Sequence, residues 1–432
     1  MSISKTARAC AGATLALHML SAISVDSAAA LSFEFVRIVD TNTLVPGHSE
    51  TLSSLGVPAV DGGAAAFTGM SPSGTGIFSG SGDALATLVD LGASIPGGTG
   101  DFEYLSDPSF EGGEVAFTGG ISIATRGVYK TVAGEVSLVA DLNTQVPGMP
   151  ATFDGFGRGW LPVPASLDAG SVAFVGVRAS TEGQVFMGIY TDVGGTLNVV
   201  VEAEPEGYGG PLHYIESNPS FDAGHVAALA GYGLTDGFGI FSDLDGSFES
   251  LYVFHDPVPN SPNGLYTNRP PSLSDGSVAF RGTQDAAPGP GWSIYTDAGG
   301  SLRVVTDESM PVPGGAGTFL LRSDEAGDPV IDAGNVAFLA SDSVTGEKGL
   351  FVEFERTLLR VIDTSDELDG KPILDLQFGP EGLGGANVAF VAEFEDGSSG
   401  VFMTTVPEPS TVLLLALGLA GLAGIRRRQV SA

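Results

Sequence analysis

Short apolar runs alternate with Gly-, Asp- and Pro-containing turns through the middle of the chain, and the alternation recurs in copies. The clearest copy is PSLSDGSVAFRG, from Pro271 to Gly282. Six relatives begin at Val57, Pro108, Pro164, Pro219, Pro329 and Glu381, and the copies centre on a V-A-F-like element ending at Phe67, Phe117, Phe174, Ala228, Phe280, Phe338 and Phe390. Successive copies lie 50 to 58 residues apart. That period is longer than most solenoid repeats and suits a four-stranded propeller blade with long loops.

A second apolar element follows each V-A-F, from Gly76-Ile77-Phe78 in the first copy to Gly400-Val401-Phe402 in the last. After a polar turn comes a third, such as TLNVVVE (Thr196 to Glu202) or TLLRVID (Thr357 to Asp363). These pieces are short and rich in β-branched or aromatic residues, which predicts strands. With the apolar residues before the Asp-Gly turn taken as a first strand, each repeat becomes a four-stranded antiparallel meander. The Asp-Gly, Gly-Gly and Asp-Ala-Gly pieces supply the positive φ that a tight hairpin needs. In the V-A-F strand, Val and Phe point to one side and Ala to the other. A blade held between two neighbours wants that arrangement, bulky toward one and small where the other approaches.

Counting then predicts closure. The third-element strand follows six of the seven repeats, because the seventh ends at Thr405; the missing one, FEFVRIVD, stands at the other end of the chain, from Phe33 to Asp40. The expected fold is therefore all-β, a seven-bladed β-propeller over residues 31–405 in which the N-terminal strand completes the last blade and removes the open edge. An open β-solenoid or a chain of small sandwiches is the alternative. Composition agrees with many covered strands joined by turns: 63 Gly, 26 Pro, 43% hydrophobic and only 16% charged residues.

The two ends read differently. Residues 1–30 have the layout of a secretory signal peptide, with Lys5 and Arg8, an apolar run from Ala9 to Val25 and small residues up to Ala30, where signal peptidase is expected to cut. The single cysteine, Cys10, lies in that leader, so the mature chain has no thiol for disulfides, catalysis or metal binding. At the far end, Thr411 to Ile425 is an apolar stretch of fifteen residues followed by Arg426, Arg427 and Arg428. As a helix it reaches about 23 Å, short of the ~30 Å hydrocarbon core unless the arginines snorkel. The arginines hold that end in the cytoplasm and leave the repeats outside.

This tail, residues 406–432, resembles the PEP-CTERM sorting signal of exported bacterial proteins: Pro407-Glu408-Pro409, a short transmembrane helix and a terminal arginine cluster, in that order. The resemblance implies an exosortase as processing enzyme, cutting near Pro407, Glu408 and Pro409. It also implies transient anchoring in the inner membrane through the helix, and a final place at the cell surface or in the extracellular matrix.

The net charge of −33 argues against nucleic acid as a partner, since phosphate binding needs clustered Lys and Arg. Acids end the fourth strand of most blades, and Asp40, Asp90, Asp141, Asp307 and Asp363 could circle one rim as a Ca²⁺ site. The competing reading has them accept N–H bonds of the following turn. Asp61, Asp168, Asp222 and Asp332 read as hairpin residues. No catalytic residue emerges, because His48, His213, His225 and His255 lack metal-binding spacing and no nucleophile elbow is present. The expected function is an exported binding propeller for polysaccharide or a surface protein, with the loops of the more variable rim as the place to look. An extracellular hydrolase or lyase working in the central channel is the rival, and a purely structural matrix role a third.

Overall fold

Proline decides how each repeat begins. In the computed structural model, which describes residues 33–407 apart from 83, 91, 123–124, 158–163, 181, 205–211, 233–236, 260–263, 285–290 and 323–325, the first strand of a repeat is broken into two short pieces. In the fifth repeat these are Leu265–Tyr266 and Ser272–Ser274, and both pair with Ser277–Gln284, the first near its end and the second at its start. Between them stand Pro270 and Pro271. Proline has no N–H to give the ladder and restricts the residue before it, so the strand cannot run through. The first strand expected from the apolar residues just before the Asp-Gly turn is the second piece here; the earlier piece is the structure's own addition.

The remaining three strands follow the expected meander, as in Ser277–Gln284, Trp292–Thr296 and Arg303–Asp307. The turn into the second strand is closed by Asp275 (φ 49°) and Gly276 (φ 69°), the paired positive φ of a tight two-residue hairpin. Between the third and outer strands the register slips once in every blade, for example at Ile294/Tyr295 and at Leu350/Phe351. A bulge of that kind sharpens the local twist.

There are seven such sheets, all antiparallel. The seventh is completed by Phe35–Asp40, which pairs with Ser399–Thr405 in the register Phe35 to Thr404, Arg37 to Phe402 and Asp40 to Gly400. The N-terminal strand thus closes the ring. Phe35–Val406 is one compact unit. The expected signal peptide, the sorting helix and the residues Glu408, Pro409, Arg426, Arg427 and Arg428 lie outside the described residues.

The core lies between blades. Val278 and Phe280 pack with Ala227 of the preceding blade, while Ala279 packs with Val336 and Phe338 of the next. The same scheme recurs with Ala66 against Val115 and Phe117, and with Ala116 against Val172 and Phe174. The V-A-F element is therefore one tooth of a circular gear, and its period of two sets which face meets which neighbour.

Candidate functional site

The second piece of each broken first strand stands nearest the axis. Ala59–Asp61, Ser109–Glu111, Ser166–Asp168, Ser220–Asp222, Ser272–Ser274, Val330–Asp332 and Leu383–Gly384 line the ring's interior. A belt of side-chain hydrogen bonds joins them. Ser109 Oγ accepts the N–H of Leu167 at 2.7 Å, Ser220 Oγ that of Leu273 at 2.9 Å and Ser272 Oγ that of Ile331 at 3.0 Å. Ser166 Oγ donates to the carbonyl of Pro219 at 2.7 Å. These side chains satisfy backbone groups on the inner edge of each sheet, where no further strand pairs.

The belt has a gap where the chain ends meet. The sixth, seventh and first blades carry Val330, Gly382 and Ala59 at the serine place, so none of the three can supply the hydroxyl. Glu381 bridges the gap: its carbonyl accepts the N–H of Val60 at 2.8 Å and its Oε2 the N–H of Phe110 at 3.2 Å. Burial pushes the Glu381 carboxyl up to about 7, against the hydrogen bonds from Ser109 and Phe110, with Glu111 adding repulsion. A carboxyl raised in the fold is stabilising below its unfolded value of 4.5, and that contribution is lost as pH rises through about 7. Glu381→Gln keeps an acceptor for Phe110 and removes the charge. The gap in unfolding free energy between variant and parent, read by denaturant titration, is expected to grow in the variant's favour from pH 5 to pH 8, by up to about 3 kcal/mol. A gap that stays constant would show that the carboxyl is not held above its ordinary range.

Two cavities open along the axis on either side of this belt. The one toward the loops between second and third strands has a volume of about 540 Å³. Its wall holds a proline from every blade, Pro58, Pro108, Pro164, Pro219, Pro271, Pro329 and Pro380, and Pro270 besides, with Phe378, Asn218 and the carboxyls of Asp107, Glu216, Asp328 and Glu381. Asp107 Oδ1 accepts the Thr68 hydroxyl at 2.5 Å, and burial raises its carboxyl above the ordinary range. Burial also raises Asp328, opposed by the charges of Arg281 and Arg269. Arg281 is 1% exposed, donates to the carbonyls of Leu321 and Ala326 at 2.7 Å each and lies over the Trp292 ring.

The second cavity, about 430 Å³, opens among the hairpin turns and is lined by Asp61, Glu111, Asp168, Asp222 and Asp332. Each side chain whose bonds are resolved clips the next blade. Asp61 accepts the N–H of Gly112 at 2.8 Å, Asp222 that of Asp275 at 2.7 Å, Glu111 that of Ala169 and Asp332 that of Gly385. Burial, then the repulsion of Asp168, raises Glu111, and burial raises Asp222. The two cavities share Ser220, Ser272, Pro380 and Glu381 in their walls, and among the described residues no Lys, Arg or His lines either.

The rim acids singled out from the sequence stand far down the blades, at the ends of the outer strands. Asp40 Oδ1 accepts the N–H of Asn42 and the hydroxyl of Thr43, each at 2.9 Å, and Asp141 does the same for Asn143 and Thr144. Asp307 serves Ser309, Asp363 serves Ser365, and Asp90 lies 3.1 Å from His48 Nε2. Among the described residues, no group of three or more His, Cys, Asp or Glu side chains is placed to hold a metal ion. Pro407 follows directly on the compact unit.

Sequence reasoning did not single out Asp107, Asp328 or Glu381. Their one signal was position: Asp107 and Asp328 immediately precede the repeat's proline, and Glu381 stands one place after it in a repeat that has lost its serine.

Among solved structures, the β-propeller domain of the Trilobed protease from Pyrococcus furiosus is similar at 11% identity and a TM-score of 0.47, covering 82% of this chain and 96% of that one. The Pyrococcus horikoshii acylaminoacyl peptidase is similar at 10% identity and a TM-score of 0.47, and this chain spans 53% of its length. Trypanosoma rangeli sialidase in complex with sialic acid follows at 12% identity and a TM-score of 0.34, with 77% of this chain matched to 57% of that one. No curated protein matches the chain by sequence. Residues 405–428 match the PEP-CTERM protein-sorting motif, which marks an exported protein of the exosortase-processed type. Among the described residues no helix is long and apolar enough to cross a membrane. Residues 27–163 and 160–368, well over half of the chain, match one family twice in tandem: the protein belongs to the family of unknown function DUF7453.

Proposed function

We propose that this protein is a non-enzymatic binding propeller, delivered to the cell surface or extracellular matrix, that holds a saccharide in its axial cavity. Export removes residues 1–30. Processing at Pro407, Glu408 and Pro409 then separates the propeller, residues 31–405, from the membrane segment. The observation that carries the binding role is the cavity of about 540 Å³ at the prolyl mouth. Its size falls in the range of small-molecule sites, about 300–1,000 Å³. Proline rings and Phe378 offer flat apolar surface to the C–H faces of a sugar, while Ser217, Asn218 and the carboxyls offer acceptors and donors to its hydroxyls.

The rival reading, a hydrolase or lyase, draws on one feature. Glu381 titrates near neutrality beside the cavity and Asp107 is raised in the same wall, the kind of tuning that acid–base chemistry uses. The full-length chain in detergent, offered to a glycan array and in parallel to a panel of oligosaccharides analysed for chain cleavage, separates the two. Retention of a glycan without shortening it is the expected result. Turnover without durable binding would replace the binding role with the enzymatic one, and neither retention nor turnover would remove the saccharide from the proposal.

A further inference from the structure

We propose that the axial cavity selects an amine-bearing saccharide, an oligomer of amino sugars, whose rings lie against the prolyl wall and whose ammonium groups face Asp107, Asp328 and Glu381. This rests on the binding role proposed above and adds the chemical class of ligand. The argument starts from charge. Among the described residues, four carboxyls and no basic side chain line the 540 Å³ cavity, and the acids of the second cavity continue the same sign beyond the serine belt. A concave, largely apolar enclosure with charge of one sign focuses that field inward and raises the local concentration of the opposite charge. Uronate, sulfate and phosphate esters are repelled by the same field.

Geometry places the carboxyls where a ligand would meet them. Asp107, Asn218 and Asp328 occupy the same place in the repeats of the second, fourth and sixth blades, directly before the proline, so hydrogen-bonding side chains stand at alternate blades around the prolyl mouth. Asp328 is incompletely answered by the protein. Its Oδ1 is shielded from solvent and accepts no hydrogen bond among the described residues, with Arg281 Nη2 at 3.5 Å as its ion partner. With Oδ1 turned to Arg281, a ligand meets the rest of the Asp328 side chain, which is 31% exposed, and in a partly desolvated wall that attraction is less screened than in open water. A neutral sugar fills the same space and offers hydroxyls, but it adds no positive charge beside Asp107 and Glu381, and leaves Asp328 with the protein's own arginines alone.

The test uses the full-length chain in detergent at about 0.15 M salt, where fixed ionic strength keeps long-range attraction small. Three probes are titrated calorimetrically: a β-1,4-linked glucosamine hexamer, its N-acetylated counterpart and a galacturonate hexamer. The glucosamine hexamer is expected to bind at least tenfold more tightly than the acetylated one, and the galacturonate not at all. Asp107→Asn and Asp328→Asn should each erase most of that preference, whereas Glu135→Gln, an exposed acid at the start of the outer strand Glu135–Ala140, should leave it intact. If Asp328→Asn fails to fold because Arg281 loses its neighbour, Asp107→Asn alone carries the comparison. Equal binding of the acetylated hexamer, or a loss with Glu135→Gln as large as with the cavity variants, overturns the amine preference and leaves the saccharide role standing. Absence of binding by all three probes overturns this inference, and an empty glycan array beside it overturns the proposed function as well.

Discussion

Deletion of Phe35–Asp40 is expected to turn a stable monomer into an aggregating, largely unfolded chain. The strand is the outer member of the seventh blade, yet it comes from the far end of the sequence. Ile38 and Val39 are 6% and 2% exposed and pack in one cluster with Phe67, Phe78 and Val401, so the strand ties blade seven to blade one. Burial of two such side chains is worth roughly 1.5–3 kcal/mol each, and the ladder to Ser399–Thr405 adds about 0.5–1.5 kcal/mol per hydrogen bond. Against a total stability of about 5–15 kcal/mol, that loss is most of what holds the ring. The exposed strand Ser399–Thr405 then offers its free edge to other molecules. The exposed ion pair of Arg37 with Asp369 at 2.9 Å contributes little by comparison. Light scattering and a thermal melt of the deletion variant, with and without an added peptide of sequence FEFVRIVD, check the expectation. An unaided monomer melting at the parent's temperature would contradict closure by the N-terminal strand.

Phe280→Ala is expected to cost about 3–5 kcal/mol, the range for deleting a large aromatic side chain in a packed core. Phe280 is fully buried, with the rings of Tyr252 and Tyr295 at 5.3 and 5.5 Å and Ala227, Leu229 and Leu265 in the same cluster. Its neighbours belong to two blades, so they cannot collapse into the void without moving a whole sheet. Phe280→Leu should cost less, because it keeps most of the volume. Denaturant titration measures both: a lower midpoint at unchanged slope is the expected outcome. An unchanged midpoint for Phe280→Ala would mean that the V-A-F strand is not the interblade core.

Much of this was legible because the repeat reports its own environment seven times over. Positions that carry Val, Ala and Phe in copy after copy fix a strand of period two with one large and one small face. A count that leaves one strand short at Thr405 and one in surplus at Phe33 predicts where the ring shuts. The earlier piece of the first strand was the one element of the blade not read from the sequence. The proline after it stood in view in every repeat, but an apolar run tolerates a break or a continuous strand equally well until the partner strand fixes which N–H groups must be satisfied.

The chemistry was far less legible. Asp61, Asp168, Asp222 and Asp332 are hairpin residues, as their turn context says, and the fold additionally gathers them around one mouth of the axis. Asp107, Asp328 and Glu381 gave no signal beyond their place beside the proline, since each owes its surroundings to side chains of other blades, Thr68 for Asp107, Arg281 for Asp328 and Ser109 with Phe110 for Glu381. By itself, then, the sequence determined the all-β class, the number of blades, the strand that closes the ring and the sorting tail, because each is written in local pattern or in a count of copies. The tertiary structure alone decided the axial cavity, the serine belt with Glu381 across its gap and the raised carboxyls in the wall. Those depend on distances and dielectric at a centre where seven separate segments meet, and no single segment encodes them.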